Sequence, residues 1–261
     1  MSLKHTDNES KPNHLRETAL ISFFLGGCAV ISLFLIFHAW FLSYSVIEFA
    51  FGMHILLFHV VFHMTEFLVA SSIFQHNAHP SAFMIFHSQE FILACSSALL
   101  EFWVESFLIP DNLKLFGVAS PSTALSKTLY FCFRLSFPSV LVFELLAVFF
   151  YAIRVAAMLN CGSNFSLMIE YEKRSTHILV DTGMYAYFRH PAYFGWFWRV
   201  FFSQLAIANP ISFILHTVVT WRFFQLRIPY EECILEREDF FGEMYAKYKK
   251  RTFIGIPFIN T

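Results

Sequence analysis

Charge is scarce in this chain. Only 14% of its 261 residues are Asp, Glu, Lys or Arg, while 57% are hydrophobic and 20% aromatic. Soluble domains carry about a quarter charged residues, so a water-exposed globule is excluded. The mean hydropathy of +0.55 points the same way. An excess of either sign is also missing: 18 Lys and Arg face 19 Asp and Glu. The resulting net charge of −1 leaves no electrostatic footprint for nucleic acid. Paired cysteines are absent. Cys28, Cys95, Cys132, Cys161 and Cys233 stand singly without a CxxC, and buried, inert thiols are the expectation. The opening stretch MSLKHTDNESKPNHLRE lacks the apolar core and cleavage site of a secretory signal, so the first helix is expected to stay as an anchor. Neither a prenylation box nor a retention tetrapeptide stands at the C-terminus.

What is present is a series of apolar runs near 18–38, 41–63, 66–78, 81–108, 129–160, 192–208 and 211–226. A crossing takes roughly 20 apolar residues, and no alternating barrel pattern occurs, so the expected fold is all-α. It is an expected polytopic integral membrane protein with about six to eight transmembrane helices, eight being the preferred count. Residues 1–160 read as the transmembrane, lipid-side part; from Cys161 onward polar clusters return between shorter runs, and 161–261 is where chemistry is expected. Asn209-Pro210 reads as a stop and restart, with asparagine as the cap before a first-turn proline, making a tight helical hairpin. Lys173, Arg174 and Arg189 before the hairpin, and Arg222, Arg227, Arg237, Lys247 and Lys249–Arg251 after it, place both open ends in the cytosol.

Three clusters carry the candidate chemistry. In RHPAYFGW, Pro191 fits a helix's first turn and leaves His190 near the cap, a position that favours a negatively charged ligand group. Arg189, His190 and Tyr193 can share a face, although Arg189 and Tyr193 also read as interfacial anchors. In RFFQLRIPYEE, Arg227 and Glu231 lie on one face if the helix continues through Pro229, while Glu232 turns away; a solvated ion pair is the plainer reading. FFGEMYAKYKKR reads as an interfacial helix resting on anionic headgroups. Histidines supply a competing idea, because His59, His63 and Glu66, followed by His76 and His79, have the spacing of membrane di-iron histidine boxes. No adjacent histidine pair exists, so packing or cavity-facing roles are expected and no metal is assigned.

Taken in order, RHPAYFGW, Gln204, Asn209-Pro210, WRFFQLRIPYEE, FGEMYAKYKKR and a terminal IPF resemble the isoprenylcysteine carboxyl methyltransferase family across about residues 160–259. The resemblance implies transfer of a methyl group from S-adenosyl-L-methionine to the C-terminal carboxylate of a farnesylated or geranylgeranylated cysteine. The implied setting is the cytosolic face of the endoplasmic reticulum membrane. The implied partners are prenylated CaaX proteins after proteolytic trimming, such as small GTPases and lamins, together with membrane lipid. By motif, Glu170, His177, Ile178, Leu179, Val180, Tyr185, His190, Pro191, Ala192, Tyr193 and Glu231 would contact the cofactor. Arg227 would hold the substrate carboxylate, and Arg227 and Glu231 would be the catalytic pair. Glu170 stands where relatives tend to have an amide, and Phe202 where they tend to have a small residue.

Elementary chemistry agrees with this implied reaction. A terminal carboxylate of pKa near 3.5 is ionised at neutral pH and needs no general base to attack a sulfonium methyl. The site's task is to align and partly desolvate it, for which arginine's planar fork is suited. A prenyl chain gains about 0.8 kcal/mol per buried CH₂, giving the greasy first half a purpose, with 91–107 and 140–151 as expected groove walls. The readings set against this one are an NADPH-dependent membrane sterol reductase and a non-enzymatic channel or scaffold.

Overall fold

The computed structural model describes residues 10–74, 79–86, 88–110, 113–114 and 122–260. Among these residues regular structure is helical apart from one isolated bridge, Phe188 to Phe253. The helices are α1 (Ser10–His38), α2 (Val46–His54), α3 (Phe62–Phe74), α4 (Gln89–Phe107), α5 (Ala124–Phe133), α6 (Phe137–Cys161), α7 (Pro191–Ala206), α8 (Pro210–Leu235) and α9 (Glu243–Lys249). Among the described residues three stretches, His14–Ser43, Val46–Ile73 and Phe137–Asn164, are long and apolar enough to cross a membrane. Helices suit that solvent because each backbone N–H finds its carbonyl within the same segment. Large apolar side chains such as Phe23, Phe24 and Phe34 are exposed along α1, as a lipid-facing surface requires.

Several boundaries differ from the run-length reading. The expected break between 41–63 and 66–78 is absent: α2 continues through a π-helical stretch, Ile55–Val61, directly into α3. His63 and Glu66, whose spacing raised the histidine-box idea, point inward. His63 Nδ1 lies 2.7 Å from Phe83 O, and both His63 and Glu66 are buried. The break expected between 18–38 and 41–63 falls later, where Tyr44 adopts a left-handed φ of 52° and Ser45 Oγ accepts the Glu48 N–H at 3.3 Å. The run 81–108 shortens to α4, because Pro80–Phe83 forms a 3₁₀ turn and Ser88 Oγ caps α4 by accepting from Phe91 N–H at 3.1 Å.

The run 129–160 divides between α5 and α6, where Ser136 and Ser139 exchange hydrogen bonds, Ser139 N–H to Ser136 Oγ at 3.2 Å and Ser136 N–H to Ser139 Oγ at 3.1 Å. That reciprocal pattern starts a helix as a capping box does. His76 and the residues before Ser10 lie outside the described residues. None of the five cysteines is fully buried and Cys233 is exposed, so the expectation of buried thiols is corrected; apolar sequence neighbours here pack toward lipid as readily as inward.

The chain divides into two units, Met1–Glu144 with Ala206–Ala208, and Leu145–Leu205 with Asn209–Thr261. Among the described residues the first has two cores, one of Ala39, Phe49, Ala50, Phe102, Val140 and Ile207 and one of Leu25, Val60 and Phe83. The second has two. Phe197, Phe224 and Ile228 pack with Ile254, Ile256 and Ile259 of the C-terminal tail, and Ile234 packs with Phe240, Phe241, Tyr245 and Tyr248. The tail is pinned further by Trp198 Nε1–H donating to Gly255 O at 3.1 Å and Trp221 Nε1–H to Pro257 O at 2.7 Å.

The hairpin of α7 and α8 turns at Asn209-Pro210 as expected, and α8 does run through Pro229 to Leu235. Asn209, however, occupies the cap position without a side-chain capping bond; its Nδ2 lies 3.5 Å from Gln204 Oε1 instead. Within the second unit α6 and α7 touch backbone to backbone at Gly195, where a Cβ would lie 2.5 Å from Phe150 O and 2.8 Å from Arg154 N. Close helix approach of this kind depends on a residue without a side chain. Gly195→Ala should therefore destabilise the protein by about 1–3 kcal/mol, measured by thermal unfolding in detergent; an unchanged midpoint would show that the helices can part without cost.

Candidate active site

The segment between α6 and α7 has little regular structure and is shaped by asparagine side chains. Asn164 Oδ1 accepts the Ile178 N–H and Asn160 Oδ1 accepts the Met184 N–H, each at 3.0 Å, standing in for absent backbone partners. Gly183 is required beside Asn160: its φ is +60° and a Cβ would sit 2.3 Å from Asn160 Oδ1. These bonds lay His177–Val180 and Tyr185 along one wall of a cleft inside the second unit.

Helix α7 supplies a second wall. It begins on Pro191, with Phe194 N–H donating to His190 O at 2.9 Å, which sets His190 at the cap. The late part of α8 and the segment around α9 complete the cleft with Glu231, Leu235, Phe240, Phe241, Tyr245 and Tyr248. Its atom-free space, open mouth included, is about 820 Å³.

Glu170, His177, Ile178, Leu179, Val180, Tyr185, His190, Pro191, Ala192, Tyr193 and Glu231 all line this cleft. Arg227 does not. It lies beside Tyr193, whose hydroxyl accepts from Arg227 Nε–H at 2.9 Å and donates to Glu231 Oε2 at 2.7 Å. Arg227 Nη2–H also donates to Leu167 O at 2.7 Å, and its Nε is 3.9 Å from Glu231 Oε2. Arginine, tyrosine and glutamate thus form one hydrogen-bonded row from outside the cleft wall into it.

Behind the same wall is a hub that the sequence reading passed over. Glu232 is buried, and its Oε1 receives Arg189 Nε at 2.6 Å and lies 3.0 Å from His190 Nε2, while Lys249 Nζ is 3.1 Å from Oε2. Arg189 Nη1–H continues to Thr252 O at 2.7 Å. Glu232 turns away from the Arg227–Glu231 face, as helical spacing requires, yet it turns into protein and not into water. Burial opposes the charge on Lys249, but its bonds to Glu236 and Glu232 outweigh burial and raise its pKa.

Tyr245 and Tyr248 were also missed, because FFGEMYAKYKKR was read as lying on headgroups. In the structure both tyrosines are buried in the cleft wall, three residues apart on one face of α9, and Tyr248 Oη–H donates to Tyr185 O at 2.7 Å. That i, i+3 aromatic spacing was the available signal.

Two lining side chains keep buried polar atoms without a hydrogen-bond partner among the described residues, His177 Nδ1 and Tyr245 Oη. Burial and the neighbouring Arg174 charge lower the His177 pKa. Burial, with the Glu232 and Glu231 charges, raises that of Tyr245, so it remains a neutral phenol. Buried polar atoms are nearly always satisfied, so this lining suits a ligand with hydrogen-bonding groups. Glu231 adds a carboxylate and Tyr193 an aromatic face for a cationic part.

A multi-pass helical membrane protein with a polar ligand cleft in its C-terminal unit is the class that this architecture defines. The family model described as "Isoprenylcysteine carboxyl methyltransferase (ICMT) family" matches residues 141–237. Among curated relatives, the protein-S-isoprenylcysteine O-methyltransferase of Homo sapiens is 36% identical over 200 residues, 77% of this chain and 62% of the relative. That of Xenopus laevis is 35% identical over 199 residues, 76% of this chain and 61% of the relative. The matches thus span about three-fifths of the length of the frog and human proteins. The Saccharomyces cerevisiae enzyme of the same name is 36% identical over 76% of this chain and 76% of its own length. The solved structure of the eukaryotic intramembrane Ras methyltransferase, an isoprenylcysteine carboxyl methyltransferase, superposes with a TM-score of 0.73 at 29% identity, covering 90% of this chain and 74% of that one. The chain belongs to the isoprenylcysteine carboxyl methyltransferase family.

Proposed function

We propose that the protein methylates the C-terminal carboxylate of a prenylated cysteine, using S-adenosylmethionine, at the cytosolic face of the endoplasmic reticulum membrane. The observation that carries this reading is the convergence on one cleft of every residue that the family resemblance assigns to the methyl donor, with Arg227 joined to that cleft through Tyr193. The acceptors would be prenylated CaaX proteins after trimming, delivered from the bilayer by a chain spanning it about six to eight times. The comparisons lend no support to an NADPH-dependent reductase.

In this scheme Glu170, His177–Val180, Tyr185, His190–Tyr193 and Glu231 hold the donor. Bound S-adenosylmethionine supplies an electrophilic methyl group on a sulfonium centre. The Glu231 carboxylate and the Tyr193 face accept its positive charge. Phe240 and Phe241 exclude water from the cleft, and Arg227 aligns the acceptor carboxylate. Because that carboxylate is already ionised at neutral pH, the residues move no proton; their work is orientation and desolvation. Once the ester forms the acceptor is neutral, so Arg227 loses its partner and product release is assisted.

The deciding experiment is transfer of labelled methyl from S-adenosylmethionine to N-acetyl-S-farnesylcysteine by the purified, detergent-solubilised protein, beside the same compound lacking the prenyl chain. Transfer to the farnesylated compound alone is expected. Transfer to neither, by folded protein, would overturn the assignment.

A further inference from the structure

Arg227 is held by a specific neighbour. Its guanidinium carries five N–H donors, of which Nε–H is engaged by the Tyr193 hydroxyl at 2.9 Å and one Nη2 hydrogen by Leu167 O at 2.7 Å. The edge formed by Nη1 and the second Nη2 hydrogen is the one that can fork a carboxylate. Which edge is presented depends on the Nε bond, since rotation about the arginine side chain would exchange the edges.

The Tyr193 hydroxyl is a rigid post for that bond. Its ring stacks on His190, centroids 5.3 Å apart with 2° between planes, and on Phe224 at 4.9 Å and 27°. Its own proton is directed to Glu231 Oε2 at 2.7 Å, which leaves the phenolic oxygen's lone pairs facing Arg227. The guanidinium carbon also lies 5.5 Å from the Tyr193 ring centroid and 5.6 Å from that of Phe223, so both the head group and its plane are restrained.

We propose that Tyr193, beyond lining the cleft, is the positioning residue of the acceptor site: its hydroxyl, polarised by Glu231, fixes Arg227 so that the acceptor's terminal carboxylate is received on the Nη1–Nη2 edge. The inference rests on the methyltransferase reading above and adds a role in acceptor recognition to a residue assigned there only to the donor. Glu231 accordingly acts on both reactants, holding positive charge in the cleft while orienting the tyrosine that orients the arginine. The ring alone packs the wall; the hydroxyl is the part that carries the new role.

Full-length protein in detergent separates these contributions. Tyr193→Phe keeps the ring and its stacking. It should hold the affinity for S-adenosylmethionine, read by calorimetry without turnover, within threefold of wild type. The kcat/KM for N-acetyl-S-farnesylcysteine should fall by about 10- to 100-fold, the usual effect of removing a hydrogen bond to a charged group. Equilibrium binding of N-acetyl-S-farnesylcysteine to Tyr193→Phe, Arg227→Lys and the double variant then completes a cycle independent of residual turnover. If the hydroxyl acts through Arg227, the double variant binds no more weakly than Arg227→Lys.

Losses that multiply in the double variant, a parallel loss of donor affinity, or an unchanged kcat/KM in Tyr193→Phe would overturn the proposal while leaving the function intact. Wild-type protein that binds donor but methylates no prenylcysteine would overturn the function, and this inference with it.

Discussion

Arg227→Ala should abolish methylation of a prenylated cysteine while leaving donor binding within about threefold of wild type. Arg227 does not line the cleft, and among the described residues it is joined to the cleft through Tyr193 and Glu231. Removing one member of a hydrogen-bonded charge pair costs about 2–5 kcal/mol, and here the missing partner would be the reacting group itself. At 1.4 kcal/mol per tenfold, the lower bound is already about a 30-fold loss of kcat/KM, and lost alignment adds to it. Arg227→Lys keeps the charge but not the planar fork, so it should recover only part of the rate. Steady-state rates set beside donor affinity by calorimetry provide the check. An equal loss of donor affinity in Arg227→Ala would mean that this arginine supports the cleft and not the acceptor.

Glu232→Ala should be the most damaging change behind the cleft wall. The carboxylate is buried and is met by Arg189 and His190 from one part of the chain and by Lys249 from another. Breaking a buried pair costs about 3–5 kcal/mol, and Arg189, which also donates to Thr252 O, would lose its Glu232 partner. His190 and Tyr193 would lose their fixed position together, because their rings are stacked. A large fall in the detergent melting temperature and a loss of donor binding are therefore expected together. Lys249→Ala should cost much less, since that side chain is 23% exposed and water can solvate the remaining carboxylate oxygen. Wild-type stability and donor affinity in Glu232→Ala would refute the hub.

These two expectations differ in how visible their residues were in the sequence. Arg227 and Glu231 stand four apart at the end of an apolar helix, where ionisable groups draw attention, and their pairing is local. Glu232 is one residue further on and faces the opposite way; helical spacing excluded it from that pair without saying what it met instead. Its partners lie 43, 42 and 17 positions away along the chain, at Arg189, His190 and Lys249. No periodicity reports a contact of that kind. The same limit explains the continuous helix from Val46 to Phe74, which apolar run length divides between 63 and 66.

By itself the sequence determined the helical, membrane-embedded class, the turn at Asn209-Pro210, the start of α7 at Pro191 and the Arg227–Glu231 spacing. Each follows from composition or from backbone rules acting over a few residues. Only the tertiary structure decided that Glu232 anchors the RHP segment, that Tyr245 and Tyr248 face the cleft, and that Tyr193 stands between Glu231 and Arg227. Those assignments depend on which distant segments meet, and hydrogen bonds across such gaps are made by packing, not by spacing along the chain.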